Sequence, residues 1–281
     1  MNDLKVSICV PVYGGEKYIE KCARSLFGQT YPEIEFIFVN DCTKDRSIEV
    51  VQQVAEEFPR CKEALKIVQH DKNRGLAASR RTGVMAATGD YFFYIDEDDY
   101  LEPDAIERYV MKAKETDADM VVADFYFVSL EGRTHRVIPV PDDRIELVRL
   151  MLLRKTAIKI WGLLLRRSFV IGHELFAPEG LDLSEDYVLT PRMAYLANKV
   201  VRVDAPLLNY VRYNTESGST VVRRRGLETT IKAMDILDDY FSRVQDAEVF
   251  KETLQQAKLY NKVTLYGLAA QADYGFLRPL Y

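Results

Sequence analysis

The first 130 residues alternate short apolar runs with segments whose apolar residues recur at helical spacing. The runs predicted as strands are Val6–Val12, Ile34–Val39, Leu65–Gln69, Tyr91–Ile95 and Met120–Val128. A strand, a helix and a second strand in succession form a βαβ unit, whose two strands pair in parallel. We therefore predict an α/β fold with a mostly parallel central sheet flanked by helices.

The pattern is less regular after residue 130. A loop at Pro139–Asp143 leads to a helical pattern over about 144–155, and residues from about 226 onward also have helical spacing. Val200–Val203 and Leu207–Val211 are predicted as paired strands joined by Asp204-Ala205-Pro206. We divide the chain into 1–130, 131–220 and a helical C-terminal extension over 221–281. No flexible linker separates the first two parts, which are predicted to form one domain.

Composition excludes several classes of function. The 281 residues carry 38 Lys and Arg against 43 Asp and Glu, for a formal net charge of −5, so a nucleic-acid partner is not expected. The four cysteines lack C-x-x-C spacing and predict neither a zinc site nor a disulfide framework. No run approaches the roughly 20 apolar residues of a membrane span, and the N-terminus resembles no signal peptide. The expected location is the cytoplasm.

Unusual polar residues follow four of the predicted strands. They are Pro11-Val12-Tyr13-Gly14-Gly15, Asn40-Asp41, Asp71-Lys72-Asn73-Arg74-Gly75 and Asp96-Glu97-Asp98-Asp99. In an open α/β sheet, ligands bind beyond the carboxyl ends of the strands. These four segments are therefore predicted to converge on one site.

The acidic segment after Ile95 is a candidate metal site. If the extended conformation persists, Asp96 and Asp98 point to the same side and Glu97 points away. Carboxylate oxygens suit Mg²⁺ or Mn²⁺, which proteins commonly hold together with substrate phosphates. The alternative is that these acids only favour the start of the helix near Pro103.

Ordered motifs over about 100 residues resemble the family 2 glycosyltransferases, which have the GT-A fold of nucleotide-diphospho-sugar transferases. The matching residues are Val10-Pro11-Val12-Tyr13, Glu16-Lys17-Tyr18-Ile19, Ser25-Leu26, Gln29-Thr30-Tyr31, Val39-Asn40-Asp41, Asn73-Arg74-Gly75-Leu76, Ala78-Ser79-Arg80, Thr82-Gly83, Gly89-Asp90-Tyr91 and Asp96-Glu97-Asp98-Asp99. A weaker resemblance continues through Trp161, Pro178-Glu179-Gly180-Leu181, Glu185-Asp186 and Pro206-Leu207 to Tyr210. The resemblance implies a nucleotide-sugar-binding half over 1–130 and an acceptor-binding half over 131–220.

The resemblance also implies roles for residues in the nucleotide pocket. Pro11, Val12 and Tyr13 would line this pocket, and Asp41 would accept a hydrogen bond from the base, typically uracil. Arg80 would approach the base or the diphosphate. Two simpler interpretations stay open: Asp41 caps the helix that follows it, and Arg80 forms a surface ion pair.

The implied donor is a nucleotide-diphosphate sugar, UDP-linked in preference to GDP- or dTDP-linked, bound together with Mn²⁺ or Mg²⁺. Asp98 would be the metal ligand, Asp96 would contact the ribose or the metal, and Glu97 belongs to the same cofactor-binding set.

Glu185-Asp186 is the candidate source of the catalytic base. Attack of an acceptor hydroxyl on the anomeric carbon requires removal of its proton on the face opposite the departing diphosphate, which gives inversion. The resemblance assigns this role to Asp186, with Glu185 supporting it. The alternative is a helix N-terminus with favourable acids and a capping Ser184.

The chain departs from the family pattern at three positions. Gly14 stands where asparagine is common, and Cys42 replaces a usual glycine, so the base pocket is expected to be reshaped. Pro191 falls within the helix expected after Asp186, where it would remove a hydrogen bond and bend the axis.

The implied acceptor is a glycan or a lipid-linked glycan. Trp161 could stack on a sugar or belong to the core. Arg223-Arg224-Arg225 could contact a lipid-linked phosphate or an anionic membrane surface, although a solvated helix start is the favoured interpretation. Peripheral contact at the inner face of the membrane is thus one expectation.

Three functions remain open from the sequence. The first is an inverting glycosyltransferase of surface glycan or polysaccharide synthesis. The second is a metal-dependent nucleotidyltransferase, although residues 11–16 lack its Gly-rich basic phosphate loop. The third is a nucleotide-binding module without catalysis.

Overall fold

Strands and helices alternate through the first half of the chain, and helices dominate its end. A computed structural model describes residues 3–156, 159–181, 184–212 and 224–271, and it describes side chains in these ranges except at 224–227 and 266–271. The strands are β1 (Val6–Val12), β2 (Ile34–Asn40), β3 (Leu65–Gln69), β4 (Tyr91–Tyr94), β5 (Tyr100–Leu101), β6 (Met120–Ser129), β7 (Gly132–Arg136), β8 (Leu163–Arg166) and β9 (Val200–Val211). The helices are α1 (Ile19–Phe27), α2 (Ser47–Glu56), α3 (Pro59–Ala64), α4 (Leu76–Ala86), α5 (Ala105–Thr116), α6 (Arg144–Leu152), α7 (Arg167–Gly172), α8 (Glu185–Leu196), α9 (Arg224–Phe241) and α10 (Ala247–Gln271).

Over the described ranges, the strands form one sheet in the order β3-β2-β1-β4-β8-β6-β9-β5, with β7 paired to β6. β1 pairs in parallel with β2 and β4, and β2 pairs in parallel with β3. The pairs β4–β8, β6–β8, β6–β7 and β5–β9 are antiparallel, whereas β6–β9 is parallel. The α/β prediction is confirmed, and the four polar segments predicted to follow strands come at or after the ends of β1, β2, β3 and β4 of the parallel part of this mixed sheet.

The second half differs from the sequence prediction at β9. Val200–Val211 is one strand that pairs with β6, and Val200–Val203 does not pair with Leu207–Val211. The register shifts at Asp124, where Ala123 faces Val203 and Asp124 faces Pro206. Pro206 has no N–H to donate, and a bulge absorbs the extra residues without ending the strand. The prediction of paired strands is therefore wrong.

Side chains on the two faces of β1 belong to two separate apolar clusters. Ile8 and Val10 pack with α1, α2 and α5, whereas Cys9 packs on the opposite face with residues of α4, α6 and α8. Successive strand residues point to opposite faces, so β1, which is buried on both faces, is apolar except at Ser7, whose hydroxyl donates to Glu35 Oε1.

The predicted helical C-terminal extension is present as α9 and α10. Leu237 and Phe241 of α9 and Phe250 of α10 are fully buried in the cluster that also contains Val188 of α8. The extension therefore shares the core of the preceding half. No helix in the described part of the chain is both long and apolar enough to cross a bilayer.

Candidate active site

The loop after β1 is held by side chains from two other strand ends. The N–H of Tyr13 donates to both carboxylate oxygens of Glu97 at 3.1 and 3.2 Å. The N–H of Gly14 donates to Thr43 Oγ1 at 2.9 Å, and Gly14 has a φ of 82°, which glycine adopts at little cost. These contacts give the loop a fixed shape at the carboxyl edge of the sheet.

The predicted pocket residues of this loop differ in exposure. Pro11 and Val12 are buried within β1, while the Tyr13 side chain is 53% exposed. Of the three residues, Tyr13 alone has an exposed side chain, and the assignment of all three to a nucleotide pocket stays a prediction.

The acidic segment after β4 is a turn. β4 ends at Tyr94, and the N–H of Asp99 donates to the Asp96 carbonyl at 3.1 Å. The extended conformation that would align Asp96 with Asp98 does not persist, so that geometric reasoning is wrong. The assignment of both residues to a cation stays a prediction.

Glu97 does not point away from the site. Its carboxylate accepts the N–H of Tyr13. Burial raises the pKa of Glu97 to about 8; the Tyr13 N–H lowers this pKa, and the charges of Asp98, Asp45 and Asp96 raise it. The turn thus places the Glu97 side chain against the loop after β1.

Arg80 lies at the centre of a cluster of carboxylates. Its Nη1 donates to Glu185 Oε1 at 2.6 Å and to Asp186 Oδ1 at 2.9 Å. Its Nη2 donates to Asp96 Oδ1 at 2.9 Å. Arg80 is 5% exposed, so the interpretation as a surface ion pair is wrong. The guanidinium joins the turn after β4 to the start of α8.

Burial and charge act together on this cluster. Burial lowers the pKa of Arg80, but the charges of Asp96, Asp186 and Glu185 outweigh it and raise this pKa. Burial raises the pKa of Glu185, as does the charge of Asp186, against the influence of Arg80. The pKa of Asp186 is also raised by burial, while Arg80 and the Ile160 N–H favour its ionised form.

Asp41 organises the loop before α4. Its Oδ1 accepts the Arg74 N–H and its Oδ2 accepts the Gly75 N–H, both at 2.8 Å. His70 Nδ1 lies 2.7 Å from Asp41 Oδ1, and His70 Nε2 lies 2.9 Å from Thr82 Oγ1. Asp41 does not cap α2, the helix that follows it, because Arg46 is at the N-cap of α2 and the Asp41 carboxylate accepts the N–H groups of Arg74 and Gly75 instead. Its role in base recognition stays a prediction.

The start of α8 carries two acids that face Arg80. Ser184 makes no capping bond to the helix, and its Oγ lies 3.0 Å from Thr230 Oγ1 instead. Glu185 and Asp186 turn towards Arg80, and α8 continues through Pro191 to Leu196. The predicted capping by Ser184 is therefore wrong, whereas Glu185 and Asp186 do lie in the first turn of α8, as the alternative interpretation expected. The catalytic role of Asp186 stays a prediction.

Trp161 belongs to the core. It is 9% exposed, its ring stacks on Tyr210 with centroids 4.5 Å apart, and Phe125 packs edge-on at 5.3 Å. Lys159 Nζ lies 4.2 Å from the centroid of the Trp161 ring and donates to the Trp161 carbonyl at 3.2 Å. Burial lowers the pKa of Lys159 to about 7, against the attraction of Asp186, Asp99 and Asp124. The arginine run 223–225 lies outside the residues whose side chains are described.

Two buried residues of the site were missed by the sequence reasoning. His70 follows β3 directly, at a strand end, and this position was the available signal. Lys159 carries no such signal, because only the fold brings it near Asp186.

The donor set fits a cation that arrives with a ligand. Asp96 and Asp98 supply carboxylate oxygens, the ligand type that Mg²⁺ and Mn²⁺ accept. Where side chains are described, no group of three or more His, Cys, Asp and Glu residues could hold an ion alone. Such an ion would complete its coordination with water and phosphate oxygens.

Comparisons with known proteins place the chain among glycosyltransferases. EpsH of Bacillus subtilis (strain 168), a putative glycosyltransferase, is 33% identical over 218 residues, which is 75% of this chain and 61% of EpsH. The structure of S. aureus TarS 1-349 in complex with UDP-GlcNAc matches with a TM-score of 0.77 at 21% identity, over 94% of this chain and 76% of that one. Mannosyltransferase PcManGT from Pyrobaculum calidifontis, in complex with GDP-Man and Mn²⁺, matches with a TM-score of 0.61 at 18% identity, over 97% of this chain and 76% of that one.

The chain spans only part of its relatives, at 36%, 61% and 18% of the length of three curated proteins that it matches. The structural matches establish the fold, which is GT-A. The profile of Glycosyl transferase family 2 matches residues 7–171, more than half of the chain. On this evidence the chain belongs to glycosyl transferase family 2.

Proposed function

We propose that this protein is an inverting glycosyltransferase that moves a sugar from a UDP-sugar to a hydroxyl of a growing surface glycan. The observation that carries the proposal is the Arg80 cluster, which joins Asp96 of the donor-side turn to Glu185 and Asp186 of α8. Relatives support the donor and the pathway class: TarS structures contain UDP or UDP-GlcNAc, and ExoO of Rhizobium meliloti is a succinoglycan biosynthesis protein.

Asp186 acts as the general base in this proposal. It removes the proton from the acceptor hydroxyl as that oxygen attacks the anomeric carbon, and the bond from this carbon to the diphosphate oxygen breaks. The nucleoside diphosphate leaves on the opposite face, so the anomeric configuration inverts. A base must be ionised before it acts, and Arg80 together with the Ile160 N–H favours the ionised form against burial.

The other site residues orient the reactants. Glu185 shares Arg80 Nη1 with Asp186 and so fixes the guanidinium between the two halves of the site. Tyr13 offers its exposed ring to the nucleotide, and Asp41 keeps the loop before α4 in place. When bound, Mg²⁺ or Mn²⁺ at Asp98 and Asp96 offsets the charge that grows on the leaving diphosphate. The acceptor is a glycan or a lipid-linked glycan.

Transfer assays with a defined acceptor test this proposal. The protein is incubated with a panel of UDP-sugars and surface-glycan oligosaccharides, UDP release is measured, and the product's anomeric configuration is determined by NMR. We expect an inverted product from the wild type, and a turnover about 10²–10⁴ lower for Asp186→Asn with UDP binding retained. Asp142→Asn, at an exposed aspartate, is the matched control. A retained configuration, or normal turnover of Asp186→Asn, would contradict the mechanism.

A further inference from the structure

We propose that Glu97 is a positioning residue that fixes the loop of the donor pocket, and that Gly15 lacks a side chain because Glu97 occupies that space. The inference rests on the proposed function, since it concerns the donor pocket. It differs from direct ligand binding by Glu97, because the carboxylate is engaged by the protein itself.

The contact geometry supports this role. Both Glu97 oxygens accept the Tyr13 N–H, at 3.1 and 3.2 Å. A Cβ added to Gly15 would lie 2.2 Å from Glu97 Oε2 and 2.3 Å from Glu97 Cδ, far inside contact distance. The side chain therefore lies directly against Gly15, and no other residue type at position 15 admits it in this pose.

Two further amides of the loop donate to side chains that follow a different strand, β2. Gly14 N–H donates to Thr43 Oγ1, and Glu16 N–H donates to Asp45 Oδ2, both at 2.9 Å. Glu97 adds the link to the turn after β4. Because Asp96 and Asp98 flank Glu97, this contact sets the position of the cation-binding turn relative to Tyr13. A nucleotide sugar that contacts both Tyr13 and the turn after β4 would therefore bind a preorganised pocket.

Gly15→Ala offers a specific way to break the contact. Gly15 is not among the residues with a positive φ, so its backbone tolerates a Cβ. The atoms that this Cβ would meet belong to the end of a flexible side chain, so Glu97 would move while the fold persists. Gly15→Ala and Glu97→Ala should thus remove the same interaction by different means.

Hydrogen exchange of the ligand-free protein tests the contact without any substrate. In Glu97→Ala and in Gly15→Ala, the Tyr13 amide should exchange about tenfold faster, as expected for loss of about 1.4 kcal/mol. Glu97→Gln keeps an acceptor oxygen and should retain most of the protection. Gly172→Ala adds a methyl group in open space and is the matched control. Unchanged exchange at Tyr13 in Glu97→Ala would overturn the proposal.

Donor kinetics then separate positioning from a general structural effect. Each single variant should raise the donor KM about tenfold with kcat within about threefold, and the double variant should match the singles within about twofold. If the increases in donor KM of the two single variants multiply in the double variant, the two substitutions do not act on the same contact, and the proposal is overturned. Absence of donor turnover in the wild type would instead overturn the proposed function, and the exchange result would still decide the role of Glu97.

Discussion

Arg80→Met should destabilise the protein strongly, and more so at high pH. The variant keeps the aliphatic bulk but leaves three carboxylates without their guanidinium. The three side chains are only 7% (Glu185), 23% (Asp186) and 27% (Asp96) exposed. Water therefore replaces the guanidinium poorly. Removing one partner of a buried ion pair costs about 3–5 kcal/mol. Because two of the three acids reach some water, we expect about 3 kcal/mol at pH 8, or roughly 6–12 °C in Tm.

The pH dependence follows from the direction of the pKa shifts. Burial already raises the pKa of Glu185 and of Asp186, and loss of Arg80 raises both further above their unfolded values of about 4.3 and 3.9. The folded variant then binds more protons than the unfolded chain, so its stability falls as the pH rises above this range. The deficit relative to the wild type should therefore be smaller at pH 5 than at pH 8.

Urea unfolding at both pH values, in the presence of a chelator, measures this deficit. Arg81→Met is the matched control, since Arg81 is the exposed neighbour of Arg80 and its guanidinium lies 5.1 Å from the centroid of the Phe176 ring. We expect the control to change the free energy of unfolding by less than about 1 kcal/mol. A deficit for Arg80→Met below about 1 kcal/mol, or one that is equal at pH 5 and pH 8, would refute the reasoning.

Two further predictions concern stability. Cys42 has a φ of 61°, so Cys42→Gly should stabilise the fold by about 1 kcal/mol in urea unfolding, and a less stable variant would contradict the strain. Burial raises the pKa of Glu35, but hydrogen bonds from Ser7, Thr88 and Lys5 lower it to about 2. The stability that ionised Glu35 gives the wild type should be lost as the pH falls from about 4.5 towards 2. Glu35→Gln should not show this loss, and a wild type and variant whose free energies of unfolding change equally with pH would contradict the prediction.

The sequence predicted the strands that carry the site because their signal is local. The apolar runs that became β1, β2 and β4 end within two residues of Tyr13, Asp41 and Asp96, and the polar residues after them lie at one edge of the sheet. Strand order could not be predicted in the second half. β8 lies between β4 and β6 and is antiparallel to both, and apolar periodicity is the same for either strand direction.

Side-chain partners were harder to predict than positions. The Asp41–His70 and Arg80–Glu185 contacts join residues 29 and 105 positions apart, and no spacing in the sequence encodes them. Glu97 was misplaced because alternation along a strand was extended into a turn. The sequence showed which acids follow β4, but the orientation of their side chains depends on the backbone conformation after Tyr94.

Calorimetric titration with UDP, with and without Mn²⁺, tests most directly whether the donor diphosphate is held through a cation at Asp98 and Asp96. The wild type should bind UDP at least about tenfold more tightly with Mn²⁺, a difference of about 1.4 kcal/mol. Asp186→Asn should retain this metal dependence, and Asp98→Asn should lose it. Equal UDP affinity with and without Mn²⁺, or an unchanged metal dependence in Asp98→Asn, would contradict the account.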